Sequence, residues 1–390
     1  MSNIKRFKTM YFFFYFNIAI FSGFVVSYLN NLNYSNTQVG FFMSLLYFSG
    51  VLGQSISGYI CDLKSTIKKV HFFWMLFLAT SIFFFFKANH TIHRGILILI
   101  IGFFQSSVMV LLDSWTLESN NTLKKNFGPI RAFGSVGWGI STLIIGKIID
   151  SFGWSIVGIL YIFFTSLFLV ITYNTKDAKH ENHKKDGPSI TVSNLKLLMR
   201  NKKYIHLLII FFILYMSFHV IGMFSVILIE DFGGTKAHIG VFLLVAALSE
   251  VPILLSANKL MYKFKPSQLL IVSSAFFLIR TLLTAFSNSV VFIILLSILQ
   301  MLSFSILIFI SKYLIDEVSP DNLKTSSQSI AMAISGGLSA LVSLNLSGYL
   351  ADSIGIRNLL FLLTILCAAA LILSIRYHLS YSLYILKKRL

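Results

Sequence analysis

Twelve apolar runs of about 20 residues, long enough to span a bilayer, divide this chain. They lie at roughly 10–29, 38–60, 70–86, 95–117, 128–149, 154–173, 204–229, 237–258, 267–286, 289–311, 325–350 and 358–375. A helix of about 20 residues crosses about 30 Å of hydrocarbon. No water satisfies backbone polar groups there, so only helices and closed barrels can cross. The strand-like alternation of a barrel is absent. Charged residues make up 12% of the chain, about half the fraction usual in soluble domains. The expectation is an all-α membrane protein with twelve transmembrane helices.

The net charge of +18 raises the question of nucleic acid, and its placement answers it. With the N-terminus inside, only Lys87, Arg94, Lys147, Lys236 and Arg357 of the 32 basic residues fall in outer loops. Arg131 and Arg280 fall within spans, and the rest lie inside. This asymmetry predicts a multi-pass protein of the cell (inner) membrane with both termini cytoplasmic. The basic loops suit anionic lipid, and no domain is present to carry a nucleic-acid role. The first run follows Lys5, Arg6 and Lys8 but lacks a small-residue cleavage site, so it reads as a retained span. Cys61 and Cys367 give neither a disulfide framework nor metal-ligand spacing.

Residues 174–203 form the one long hydrophilic stretch. They read as a cytoplasmic linker, partly an amphipathic helix around Ser193–Lys203, between six-helix halves at 1–173 and 204–390. The second half ends in a short basic tail. An internal repeat supports this division. Gly146, Asp150, Ser151 and Gly153 close span five, and Gly348, Asp352, Ser353 and Gly355 recur 202 residues later at the close of span eleven. The glycine–aspartate spacing also appears at Gly58 and Asp62.

Ionisable residues inside spans are costly and face partners or water-filled paths. Asp113 and Arg131 lie 18 residues apart in spans four and five, at similar depth on antiparallel neighbours. Two readings stand: a substrate-binding or coupling pair, and a clamp holding the two spans together. Glu250 sits mid-span just before Val251-Pro252. Desolvation disfavours a charged carboxylate there and suits it to carry a proton, while Pro252 marks a broken, cavity-lining helix. Arg280 in span nine is its expected partner. His219 in span seven reads as either a packing residue or a site residue. Asn17 and Gln105 lie deep in spans one and four and suit a polar solute. Tyr11, Tyr28 and Trp115 lie near span ends and fit interfacial belts. Gly134, Gly137 and Gly139, with Gly336 and Gly337, predict close helix approach.

No phosphate-binding loop, cofactor motif, metal cluster or nucleophile–base pair appears, so the chain does not read as an enzyme and needs no cofactor. The twelve spans, basic central loop and repeat together resemble the major facilitator superfamily. The loop with Gly58, Asp62, Lys68 and Lys69 is similar to its cytoplasmic gating signature, without the arginine and central glycine. The Asp113-Ser114 … Gly128-x-x-Arg131-x-x-Gly134-Ser135-x-Gly137 segment and Ser249-Glu250-Val251-Pro252 resemble phenylpropionate-permease and lactose-permease-like proton symporters. Span ten offers Gln300, Ser303 and Ser305 where lactose permease carries histidine and glutamate.

The resemblance implies two pseudo-symmetric six-helix bundles and alternating access. It implies proton-coupled symport of a small organic solute, with sugar or oligosaccharide ahead of aromatic acid or nucleoside. Drug efflux by proton antiport and a non-transporting membrane sensor are the alternatives. The expected partners are the solute, protons and the bilayer, with the chain a monomer.

Overall fold

A computed structural model of the chain describes residues 3–178, 197–320 and 323–389. Every regular element among them is helical. Twelve helices are long and apolar enough to cross a membrane. Spans one to six are Asn3–Asn31, Asn36–Lys64, Lys68–Lys87, Thr91–Ser119, Phe127–Phe152 and Trp154–Tyr173. Spans seven to twelve are Lys202–Asp231, Lys236–Ala257, Pro266–Ala285, Val290–Val318, Ser326–Ile354 and Ile356–Ser380.

The helices outrun the apolar stretches because capping chemistry lies outside them. Ser35 and Gln38 form a capping box at the start of span two, and Thr235 and His238 form one at span eight. Gly153 and Gly355 end spans five and eleven with φ of 74° and 86°. That region is costly for side chains, which explains why the repeat closes on glycine.

Three spans are interrupted. Span one breaks between Ser22 and Val25, and span eleven contains a π turn at Ala333–Leu338. Span ten breaks at a 3-10 turn, Ser297–Met301, before resuming at Phe304. Serine hydroxyls add bonds to carbonyls at this break, two of which, those of Leu299 and Ser303, also keep backbone donors. Ser303 Oγ donates to the Leu299 carbonyl at 2.9 Å, and Ser305 Oγ donates to that of Gln300 at 3.2 Å. Ser273 of span nine donates to the Ser303 carbonyl at 2.7 Å. Side chains that take over backbone bonds are a recognised cause of helix breaks.

Span five packs on spans one and eight, and span two packs on spans four and eleven. One apolar core runs through spans one to six. It continues into the later part of span seven (Val220 to Ile229), Phe242, Leu344 and Leu360. A second, separate core joins the first part of span seven to spans nine, ten and twelve. The two sets of helices therefore share a core at the end away from the basic loops and part at the basic end.

The start of the linker is docked on the first six spans. Arg6 donates to the Asn174 carbonyl at 2.8 Å, and Trp115 Nε1 donates to that of Lys176 at 3.0 Å. Residues 197–200 are helical; the rest of the expected amphipathic segment, 193–196, lies outside the described residues.

Candidate functional site

Arg131, one turn into span five, places Nε 3.8 Å from Asp113 Oδ2 on span four. This is looser than a charge-assisted hydrogen bond of about 2.7–2.9 Å. The two side chains keep 36% and 31% of their exposure, so the pair is not sealed from its surroundings. Span one completes the cluster. Tyr11 donates to Asp113 Oδ1 at 2.6 Å, and Thr116 Oγ1 donates to the Tyr11 hydroxyl at 3.2 Å. The Arg131 guanidinium lies 5.8 Å from the centre of the Tyr15 ring, which stacks on Tyr11 at 6.1 Å and 20°.

Glycines of span five make this possible. A Cβ on Gly134 would lie 2.6 Å from Tyr15 Cδ2, and one on Gly137 would strike the Phe12 carbonyl. Gly139 meets Leu244 of span eight, and Gly337 meets Val51 of span two. Gly336 has open space beside it and serves the π turn instead. Tyr11 and Trp115 are fully buried and Tyr28 is buried too, its ring packed on Phe86 and Trp154, so the belt expectation is corrected for all three. Their position near a span end hid the face they turn inward.

Between spans ten and eight, Gln300 Nε2 donates to Glu250 Oε1 at 2.6 Å. The break in span ten brings Gln300 to that position. Arg280 is 2% exposed and its Nη1 has no hydrogen-bond partner. Among the described residues, no salt bridge joins it to Glu250, so the expected pair is not closed in this conformation. The antiparallel register of spans five and eight sets Gly146 against Lys236 and Gly139 against Leu244. Extended toward the basic end, it places Arg131 level with Val251, next to Glu250. Arg131 therefore stands between an acid of its own helix set and one of the other.

His219 is 8% exposed, with neither ring nitrogen hydrogen-bonded. Its ring lies 4.7 Å from that of Tyr47 on span two, and span seven packs on the π turn of span eleven. Gln105 accepts from Ser22 Oγ at 3.1 Å. Asn17 is fully buried and donates to Thr165 of span six at 2.7 Å, so it ties two helices together away from the cluster.

The expected loop is largely helical, with Gly58 and Asp62 in the last turns of span two and Lys68 and Lys69 opening span three; Gly58 has nothing within 4 Å of an added Cβ. Asp62 accepts from the Ser65 N–H through its backbone carbonyl at 3.4 Å. Lys68 Nζ donates to the Tyr173 carbonyl at 2.6 Å, and the Lys68 N–H donates to Asp177 at 3.0 Å. The Lys69 N–H donates to Thr66 Oγ1 at 3.3 Å. Lys68 thus ties the start of span three to Tyr173 and Asp177, at and just past the end of span six.

The opposite end carries a device that sequence reading saw only as a repeat. Asp352 accepts from the Asn36 and Thr37 N–H groups at 3.0 and 2.8 Å, and from the Thr37 hydroxyl at 2.6 Å. Asp150 accepts from the Lys236 and Ala237 N–H groups at 2.9 and 2.8 Å. Each aspartate thus fills the unsatisfied first turn of a helix from the other six. Glu230 adds a third tie, accepting from Ser27 at 2.5 Å and Asn30 at 2.6 Å.

A model of the MFS_1 like family matches residues 4–342. The maltose permease of Geobacillus stearothermophilus is 24% identical over 353 residues, 88% of each chain. An uncharacterized transporter of Bacillus subtilis (strain 168) is 22% identical over 266 residues, 68% of this chain and 66% of its own. The crystal structure of the nucleoside transporter NupG aligns with a TM-score of 0.81 at 15% identity, covering 97% of this chain and 99% of that one. A bacterial homologue of the lysosomal transporter Spinster, in an inward-facing and unoccupied conformation, aligns at 0.74 with 9% identity, covering 97% and 98%.

Proposed function

Because the chain belongs to the MFS_1 like family, and is thus a multi-pass membrane transporter rather than an enzyme, we propose that it imports a sugar or oligosaccharide by proton symport. The observation that carries this reading is the partly exposed Asp113–Arg131 pair beside stacked Tyr11 and Tyr15. Paired charges at 3.8 Å can exchange each other for substrate hydroxyls, and tyrosine faces suit the apolar face of a sugar ring. The permease relative, matched over 88% of its length, supports sugar over the nucleoside reading, which rests on likeness of fold alone.

In this proposal the halves 1–173 and 204–390 rock about the cluster, joined by the linker. The protein sits in the inner membrane as a monomer with both termini cytoplasmic. The conformation is the one open toward the basic loops, since the shared core and the aspartate clamps lie at the other end. Glu250 carries the proton, and its contact with neutral Gln300 leaves it able to hold or release one.

The test is transport in proteoliposomes. Wild-type protein accumulates labelled maltose or a related oligosaccharide when an inward proton gradient is imposed. Glu250→Gln, which mimics the protonated state, retains substrate counterflow and loses accumulation. Full gradient-driven accumulation by Glu250→Gln would refute the proton role. Binding is read separately by thermal shift, where a ligand at 100 times its Kd adds about 2.7 kcal/mol. Stabilisation by nucleosides and not by sugars would refute the substrate class.

A further inference from the structure

Two adjoining cavities open where span seven begins and span twelve ends, on the basic side of the bundle. The larger, about 360 Å³, is lined by Met199, Lys202, Ile205, His206, Ile209 and Leu373. The smaller, about 190 Å³, is lined by Lys202, Lys203, His206, Tyr377 and Ser380. They share Lys202 and His206, so together they form one groove. None of its residues belongs to the cluster around Asp113 or to the clamps at the other end.

The chemistry of the groove is graded along the helix axis. Lys202 and Lys203 stand in the first turn of span seven, and Ser380 stands at the end of span twelve. Ile209 lies two turns further in, about 10 Å deeper at 1.5 Å per residue. Ile209, in the deeper apolar part, is 47% exposed, so that part opens outward. Asn201 Oδ1 already accepts from the Lys203 and Tyr204 N–H groups. The helix end is therefore satisfied, and the positive charge is presented by side chains.

His206 Nε2 lies 3.0 Å from the Leu373 carbonyl, and its ring meets that of Tyr377 edge-on at 5.8 Å. These contacts fix the wall between the polar and apolar parts. Basic charge at one end and exposed hydrocarbon about one headgroup deeper match one kind of molecule. Basic pockets between helices on the cytoplasmic side suit anionic headgroups.

We propose that this groove binds an anionic phospholipid, with its phosphate beside Lys202 and His206 and an acyl chain along Ile205, Ile209 and Leu373. The lipid occupies the seam between spans seven and twelve, next to the junction with the linker.

The full chain, purified and delipidated, tests this by native mass spectrometry with phosphatidylglycerol or phosphatidylethanolamine added at equal concentration. Wild-type protein retains phosphatidylglycerol about tenfold better. Lys202→Gln combined with His206→Gln removes that preference, while Arg357→Gln at the opposite end keeps it. A single cysteine at Ile209, in a background lacking Cys61 and Cys367, is protected from a lipid-soluble maleimide by phosphatidylglycerol. That measurement stands if the double variant fails to fold. Equal retention of the two lipids, or a preference unchanged in the double variant, overturns the site. So does labelling at Ile209 that ignores the lipid, as it would if protein filled the groove. Competition by inorganic phosphate as strong as by the lipid would make it a plain anion site and would also overturn the proposal.

Discussion

Removing both clamp carboxylates, by Asp150→Ala with Asp352→Ala, moves the conformational equilibrium toward the state open at the end away from the basic loops. Each aspartate serves as a helix cap supplied from the other set of helices, accepting from two backbone N–H groups. Replacing a capping side chain by alanine costs about 0.5–2 kcal/mol, with about 1 typical. Asp352 and Asp150 bond to different helices and share no partner, so the two losses add to about 2 kcal/mol. When the halves part, the clamp is broken anyway, so the loss falls on this conformation alone. A shift of about 2 kcal/mol changes the ratio of the two states about 30-fold. Cys61 and Cys367 are buried, which keeps background labelling low. A reporter cysteine at Leu243, whose side chain packs near Gly23 of span one between the two sets, reads the opening. Labelling of Leu243→Cys by an impermeant maleimide from the outer side rises by an order of magnitude or more in the double variant. Labelling equal to that of the parent would show that the aspartates cap helices without holding the ends together.

Two further changes test the same frame. A Cβ on Gly40 would strike the Leu344 carbonyl, and one on Gly240 that of Thr142; since backbone cannot yield cheaply, Gly40→Val or Gly240→Val costs about 1–3 kcal/mol in this state and raises Leu243→Cys labelling likewise. Asp113→Asn and Arg131→Gln each abolish substrate-induced thermal stabilisation. Because the pair keeps about a third of its exposure, each lowers the stability of the empty protein by about 1 kcal/mol, well short of the 3–5 of a dry pair. A much larger loss, read from the unfolding midpoint, would favour the clamp reading of the pair.

The twelve spans were legible because length and hydropathy are properties of a run of residues, independent of its neighbours. So was the facing of Asp113 and Arg131, since two helices joined by a short loop keep charges near that loop at one depth. The break in span ten was not legible. Residues 290–310 contain neither glycine nor proline, and the serines that bond to the carbonyls around it look like any others until span nine stands beside them. Gln300 could be named but not placed, because only the break turns it to Glu250. Asp150 and Asp352 were visible as a repeated motif. That each caps a helix in the other half is a fact about packing between segments some 86 and 316 residues apart. Tyr11 was misread for the same reason: closeness to a span end is visible in sequence, and the face it turns to Asp113 is not.

The position of Glu250 gives the proposed coupling a chemical basis without a histidine. Its present partner, Gln300, is an amide with both donors and an acceptor, so it can satisfy a carboxylate or a carboxylic acid alike. A guanidinium has five donors and no acceptor, and it satisfies only the carboxylate. Among the described residues neither Arg131 nor Arg280 forms a salt bridge with Glu250 here. A movement that exchanges Gln300 for an arginine is therefore selective for the deprotonated acid. By linkage, the conformation making that contact expels the proton as strongly as the proton disfavours that conformation. Arg280, buried and without a hydrogen bond at Nη1, is the better placed of the two to wait for this exchange, since Arg131 already leans on Asp113 and Tyr15. Arg280→Gln replaces the selective partner with an indifferent one. The variant keeps substrate counterflow and loses most proton-driven accumulation, while Arg280→Lys, still a donor without an acceptor, recovers part of it. Accumulation at the wild-type level in Arg280→Gln would move the exchange to Arg131.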